Sequence, residues 1–263
     1  MGTALLAAGL PTGALPEAWL RSRPGAVGAV HAGHAAAGAR LLLSCTFNLA
    51  GPRLDEQGLG DEVEELAATA LRVLRQAAPL ARAAGAVGPT ALVVPRGRRV
   101  ADAELRERYR RPFRALAAAG ADLLWAESQW DLAEARGALA EARAAGLPAV
   151  VTLGPALEAG RLALPEGPPL GEALRALASD GAAAVGLNCV LPGIDLAAEV
   201  EALGQLPVPL VVKPSAGLPG ALLEPEPFAA WVAAAANAGA AWVGGCCGAG
   251  TGHLAALARA LEG

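Results

Sequence analysis

The chain has 263 residues, 54% of them hydrophobic but only 3% aromatic, with 21 basic and 25 acidic side chains and a net charge of −4. That length fits one large domain that buries its own core without disulfide staples. The acidic balance, with no Lys/Arg stripe and no interleaved aromatics, excludes a nucleic-acid surface.

Two uncharged stretches, 3–16 and 227–252, are broken by Gly9, Pro11 and Gly13 or by Asn237, Gly239 and the Gly244-Gly245 pair. Neither therefore reads as a signal peptide or a membrane span. The expectation is a soluble cytoplasmic protein with reduced thiols.

In chain order, Met1-Gly2-Thr3-Ala4-Leu5-Leu6 leads into Gly/Pro-rich chain and then a helix near 24–37. From there a punctuation mark repeats. Ala37-Gly38-Ala39, Ala84-Gly85-Ala86, Ala119-Gly120-Ala121, Asp180-Gly181-Ala182 and Ala238-Gly239-Ala240 each close a helix-like stretch and open a short apolar run. Glycine just past a helix end supplies the left-handed residue that stops it, and the apolar run reads as a buried parallel strand. Ala145-Gly146-Leu147-Pro148 and Leu206-Pro207-Val208-Pro209 punctuate with proline instead.

The predicted strands occupy 40–46, 86–92, 122–127, 149–153, 183–188, 209–213 and 240–245, and the clearest helices 61–84, 102–119, 131–145, 170–179 and 225–238. This alternation means βα units and a parallel sheet. Seven strands at this length point to an α/β chain folded as one (β/α)8 TIM barrel over residues 1–263. No Gly-x-Gly-x-x-Gly or Walker-type loop follows any strand. Nothing ahead of Leu41 can serve as the eighth strand, so the first strand of the barrel is expected to be missing or truncated, or to be encoded ahead of Met1.

Side chains at the C-terminal ends of barrel strands converge on the catalytic face. There the sequence offers Cys45 with Thr46, Thr90, Glu127, Thr152, Asn188 with Cys189, Ser215, and Cys246 with Cys247. Cys189 and the Cys246-Cys247 pair end strands two apart, at one level. Three thiolates so placed can hold Zn(II) at Zn–S distances of about 2.3 Å, and three protein ligands leave open the fourth position of a catalytic site. Gly244, Gly245 and Gly248 permit the sharp turn that two adjacent ligands need.

Two readings compete. The cysteines are small buried hydrophobes, or Cys246 and Cys247 form a vicinal disulfide, which a reducing compartment disfavours. Cys45 reads as a core or near-site thiol and not as a ligand. Glu127 can hold a substrate ammonium, act as a base, or serve as a first-turn acid for the helix starting near Asp131. His31 and His34 fall in a helix before the first strand and read as surface or packing residues, and His253 as a helix-start residue. Lys213, inside a strand end, suggests a Schiff-base lysine, but nothing near it in sequence supports that.

At these motifs the chain resembles a known family. Gly186-Leu187-Asn188-Cys189 followed by Gly244-Gly245-Cys246-Cys247-Gly248 is similar to the homocysteine-binding domain of homocysteine S-methyltransferases. That family includes betaine- and S-methylmethionine-dependent enzymes and the N-terminal module of cobalamin-dependent methionine synthase. Gly2-Thr3-Ala4-Leu5 resembles its Gly-Thr-x-Leu, Ser44-Cys45-Thr46-Phe47 its Thr-Asn-Thr-Phe, Gly88-Pro89 its Gly-Pro, and Pro214-Ser215-Ala216-Gly217 its Pro-Asn-x-Gly.

The resemblance implies zinc on Cys189, Cys246 and Cys247, with the homocysteine sulfur in the open position. The resulting thiolate attacks an activated methyl group to give methionine. It implies a catalytic and substrate-binding Glu127, with Thr46, Cys45, Asn188 and Ser215 around the amino-acid end. The donor it implies is S-methylmethionine, S-adenosylmethionine, betaine or methyl-cobalamin, with no nucleic-acid or membrane partner and room for a homo-oligomer. The chain departs from the family in lacking Asp-Gly ahead of Gly-Thr, in carrying Cys45 and Ser215 where the family has asparagine, and in carrying Ser128 after Glu127. The alternative expectation is a non-catalytic zinc-binding barrel, or a homocysteine-activating subunit that needs a separate cobalamin or methyl-donor partner.

Overall fold

The computed structural model of the chain describes residues 1–92, 100–165, 167–218 and 220–262. Seven parallel strands form one sheet: β1 (Leu41–Leu43), β2 (Arg82–Val87), β3 (Leu123–Gln129), β4 (Ala149–Leu153), β5 (Ala184–Asn188), β6 (Leu210–Lys213) and β7 (Trp242–Val243), hydrogen-bonded in that order. Among the helices, α1 (Gly2–Ala7), α2 (Ala18–Ser22) and α3 (Pro24–Ala36) precede β1, and α4 (Pro52–Glu56) and α5 (Val63–Ala77) follow it. Then α6 (Asp102–Ala118), α7 (Leu132–Ala144), α8 (Leu170–Ser179), α9 (Leu196–Leu203), α10 (Pro225–Asn237) and α11 (Thr251–Glu262) separate and follow the later strands. Short antiparallel hairpins, 156–158 with 161–163 and 217–218 with 221–222, follow β4 and β6.

The sheet curls. Ala84 and Ala86 of β2, Leu123 and Trp125 of β3, Val150 of β4, Ala184 of β5 and Val211 of β6 share one inner cluster, against which Leu41 and Leu43 of β1 and Trp242 of β7 also pack. The Trp125 and Trp242 rings meet across this lumen with centroids 6.4 Å apart. Side chains of alternating parity along each strand fill the interior, as a barrel requires. The result is a TIM-like barrel with one strand missing, and among the described residues β1 and β7 are not paired with each other.

The larger core lies between sheet and helices. On α5, Val63, Leu66, Ala67, Ala70, Leu71 and Leu74 recur at helical spacing and are buried. Across the open seam the helical layer is continuous: α3 packs on α5 and on α11, close enough that a Cβ on Gly33 would stand 3.0 Å from Thr251 Cγ2.

Five of the predicted strands match to within two residues at each end. The strand placed at 86–92 lies instead at Arg82–Val87, and the helix run to residue 84 ends at Ala77. Gly85 is not a helix stop. It sits inside β2, where a Cβ would meet Leu116 Cβ at 2.9 Å. The 40–46 strand is shorter than expected, leaving the sheet after Leu43.

Candidate active site at the open end of the barrel

Along β3 the inward row is Leu123, Trp125 and then Glu127; along β6 it is Val211 and then Lys213. The two charged side chains meet one layer above the tryptophan. Lys213 Nζ donates to Glu127 Oε1 at 2.6 Å, with each side chain 13% exposed. The same ammonium lies 4.9 Å from the centroid of the Trp125 ring, within cation–π range. Trp125 is fixed in turn by Nε1 donating to Thr152 Oγ1 at 2.9 Å. Burial works against the Lys213 charge, but Glu127 and the neighbouring thiols hold its ammonium above the ordinary lysine value.

The segment leaving β6 runs between the two cysteine-bearing stretches and bonds to both. Lys213 O accepts from Cys189 N at 3.1 Å, Pro214 O from Cys246 N at 2.8 Å, and Ala216 N donates to Cys247 O at 2.8 Å. All three sulfurs consequently lie within 4.8 Å of one another, with Cys189 and Cys246 Sγ 2.7 Å apart. Gly248 closes the turn at φ 76, where a Cβ would also run into Leu222. No other cluster of metal-ligating side chains is present among the described residues.

Three soft donors of this kind suit zinc. Tetrahedral coordination at Zn–S of about 2.3 Å sets sulfurs about 3.8 Å apart, so the trio fits one ion once Cys189 and Cys246 part by about an ångström. Hydrogen bonds with Cys189 and Cys247 pull the Cys246 thiol well below its ordinary value, against burial, and Lys213 adds attraction. The Cys189 thiol moves the other way, raised by its contact with Cys246.

The remaining candidates are placed as follows. Asn188, fully buried, spends its amide on Ser128 and on the Cys189 and Cys246 sulfurs. Thr46 is fully buried and donates from Oγ1 to Ala86 O at 2.7 Å. Cys45 is 2% exposed and belongs to the outer core, and burial raises its thiol well above the ordinary value. Ser215 is buried, its backbone N–H donating to Val190 O at 2.8 Å. Thr90 lies beyond the end of β2 and donates, from N and from Oγ1, to buried Glu134. His253 sits in the first turn of α11, Nε2 against Leu223 O at 2.8 Å, outside the thiol group. His31 is buried.

Three features escaped the sequence reading. Glu127 is ion-paired, and the helix after it is capped by Asp131, which accepts from Glu134 N. Lys213 is that partner, which removes the free amine a Schiff base needs. Thr3 Oγ1 accepts from Gly248 N at 3.2 Å, bringing α1 beside the thiols. That Lys213 is the chain's single lysine was a signal available before folding.

Over residues 1–261 the chain matches the family model described as homocysteine S-methyltransferase. The chain belongs to the homocysteine S-methyltransferase family. As a member of it, the protein is a methyltransferase whose acceptor is homocysteine. Its fold is similar to that of the homocysteine methyltransferase MmuM from Escherichia coli. The oxidized form of that protein superposes with a TM-score of 0.82 at 26% identity, covering 98% of this chain and 93% of that one. The metallated form gives 0.81 at 24% identity over 98% and 93%. The carboxyl transferase domain of Rhizobium etli pyruvate carboxylase shares the barrel more loosely, with a TM-score of 0.54 at 16% identity over 86% of this chain and 36% of that chain. No helix among the described residues is long and apolar enough to cross a membrane.

Proposed function

We propose that the protein methylates the thiol of homocysteine, giving methionine, with a zinc ion held by Cys189, Cys246 and Cys247. The observation that carries this reading is the convergence of three sulfurs within 4.8 Å at the mouth of the barrel. That the E. coli protein exists in a metallated form supports it. Zinc bound to the trio supplies Lewis acidity that lowers the pKa of an incoming thiol, leaving a nucleophile at neutral pH.

The chain's own groups do the positioning. Glu127, one layer above Trp125 at the C-terminal end of β3, offers a carboxylate to the acceptor's ammonium. Asn188 shares its second Nδ2–H between the Cys189 and Cys246 sulfurs and steadies their negative charge. Trp125 and the inner cluster floor the site and exclude water from beneath it. In the transfer, the acceptor sulfur forms a bond to the donor's methyl carbon, the bond from that carbon to the donor heteroatom or metal breaks with its electron pair, and the thiol proton passes to solvent. Three reduced cysteines require a reducing compartment, consistent with a cytoplasmic protein.

The test is metal content and turnover together. Purified protein is expected to carry about one zinc per chain, and Cys246→Ala to lose both zinc and methyl transfer from sulfonium, betaine and methyl-cobalamin donors. Undiminished turnover after chelation to zinc-free protein would refute the reading. Zinc-dependent homocysteine binding without transfer from any of these donors would favour a subunit that depends on a partner.

A further inference from the structure

The Glu127–Lys213 pair raises a question that the methyl-transfer reading leaves open. A carboxylate meant for a substrate ammonium is already occupied. Its partner is the single lysine of a chain with 21 basic residues, and it sits in the barrel lumen with only 13% of its side chain exposed.

Consider what can displace it. A ligand that brings only an ammonium to Glu127 evicts Lys213 and strands that charge between the Trp125 face and the barrel wall. A ligand that brings only a carboxylate to Lys213 strands Glu127 in the same way. Leaving a mostly buried charge unpaired is costly. A zwitterion answers both charges at once, so no group is left alone. The geometry allows the exchange. Both heads are in the mouth layer, the Lys213 carbonyl is bonded to the backbone of Cys189, and Gly244 leaves room beside Lys213 Cγ, with 3.6 Å even to an added Cβ. A lysine ammonium is a compact charge whose three donors rotate freely, so it changes carboxylate partners with little movement of its stem.

We propose that Lys213 is the specificity-determining residue for the acceptor's carboxylate, and that the Glu127–Lys213 ion pair opens to receive an α-amino-acid thiol, Glu127 taking the ammonium and Lys213 the carboxylate. This rests on the reading above that the acceptor sulfur lies at the cysteine trio. It adds that the site rejects thiols bearing only one of the two charges.

Calorimetric titration of the zinc-replete protein tests it with three thiols: L-homocysteine, 3-aminopropane-1-thiol, which lacks the carboxylate, and 4-sulfanylbutanoate, which lacks the ammonium. The wild type is expected to bind homocysteine on the order of 100-fold or more tighter than either analogue, because each leaves a built polar group unpaired. Lys213→Met is expected to bring homocysteine and 3-aminopropane-1-thiol to near parity. Lys213→Arg, which keeps the charge, retains part of the preference. The double variant Glu127→Gln with Lys213→Met leaves no lone buried charge to threaten folding and should discriminate among none of the three.

A Lys213→Met protein that weakens toward all three thiols alike, keeping their ratio, would show that Lys213 only supports Glu127 and would overturn the proposal. Zinc-dependent binding of all three thiols by the wild type with equal affinity would overturn it too, while leaving the metal site standing. Absence of any zinc-dependent homocysteine binding would remove both readings.

Discussion

Asn188 clasps Ser128 with both ends of its amide. Its Oδ1 accepts from the Ser128 backbone N–H at 3.0 Å, and its Nδ2 donates to Ser128 Oγ at 2.6 Å. The clasp reaches from the end of β5 to the end of β3 across the intervening β4. Each end carries a non-glycine residue in the left-handed region, Ser128 at φ 59 and Cys189 at φ 60. Such backbone costs on the order of 1–3 kcal/mol and persists only where the surroundings over-determine it. Here it turns Cys189 toward Cys246, and the same Nδ2 lies 3.3 Å and 3.7 Å from their two sulfurs. The asparagine therefore sets both where the thiols point and how their charge is met.

Asn188→Ala should weaken zinc binding about 10- to 100-fold, the usual effect of losing a partner that orients a ligand. It should also cost roughly 1–3 kcal/mol of stability, since the Ser128 groups lose buried partners. Competition against a chelator of known affinity gives the first quantity and chemical denaturation the second. Zinc affinity equal to wild type in a destabilised variant would show that the clasp holds the strands and not the metal.

Gly186 marks a different constraint in the same motif. A Cβ there would stand 1.9 Å from Val211 O, the backbone of the neighbouring strand, with no flexible side chain to yield. Gly186→Ala must push β5 and β6 apart, and with them Cys189 and Lys213, at a cost of about 3 kcal/mol or more. Gly28 in α3 is the control, because its added Cβ would meet Val73 Cγ1 at an ordinary 3.5 Å. Gly28→Ala should stabilise by roughly 0.5–1 kcal/mol through helix propensity. Urea midpoints moving in opposite directions for the two alanines would bear this out; a tolerated Gly186→Ala would contradict it.

Much of this architecture is legible in the sequence because it is written locally. Helix ends marked by Gly120, Gly181 and Gly239 and apolar runs after them are short-range signals, and counting strands places Cys189 and Cys246 two strands apart on one face. Gly85 misleads because glycine serves two needs: at most of these positions it ends a helix, but in β2 it makes room for Leu116. The pairing of Glu127 with Lys213, 86 residues apart, leaves no local trace. It follows only once both strands' inward parity is known. Parity also explains Cys45 and Thr46. The chain leaves the sheet after Leu43, so the alternation that would have turned one of them to the mouth does not continue, and both are buried.

His31 makes stability depend on pH. It lies in α3 with 1% of its surface exposed, and its Nε2 has no hydrogen-bond partner. Burial, with the nearby charges of His34 and the N-terminal ammonium, lowers its pKa to about 3. The folded chain therefore holds His31 neutral while the unfolded chain takes up a proton near pH 6.5. Below that pH the unfolded state binds more protons, so the contribution is fully present above about 6.5 and is lost as pH falls toward 3. At pH 5 the loss amounts to about 2 kcal/mol relative to neutral pH. His34, lowered to about 4, acts in the same direction. Replacing His31 with leucine removes the titration and the unpaired nitrogen together. The fall in unfolding free energy from pH 7 to pH 5 should then shrink by about 2 kcal/mol, read from urea denaturation of both proteins at both pH values. Loss of zinc at acid pH weakens both proteins alike and cancels in the difference, so an equal fall in the two would mean that His31 is already protonated in the folded chain.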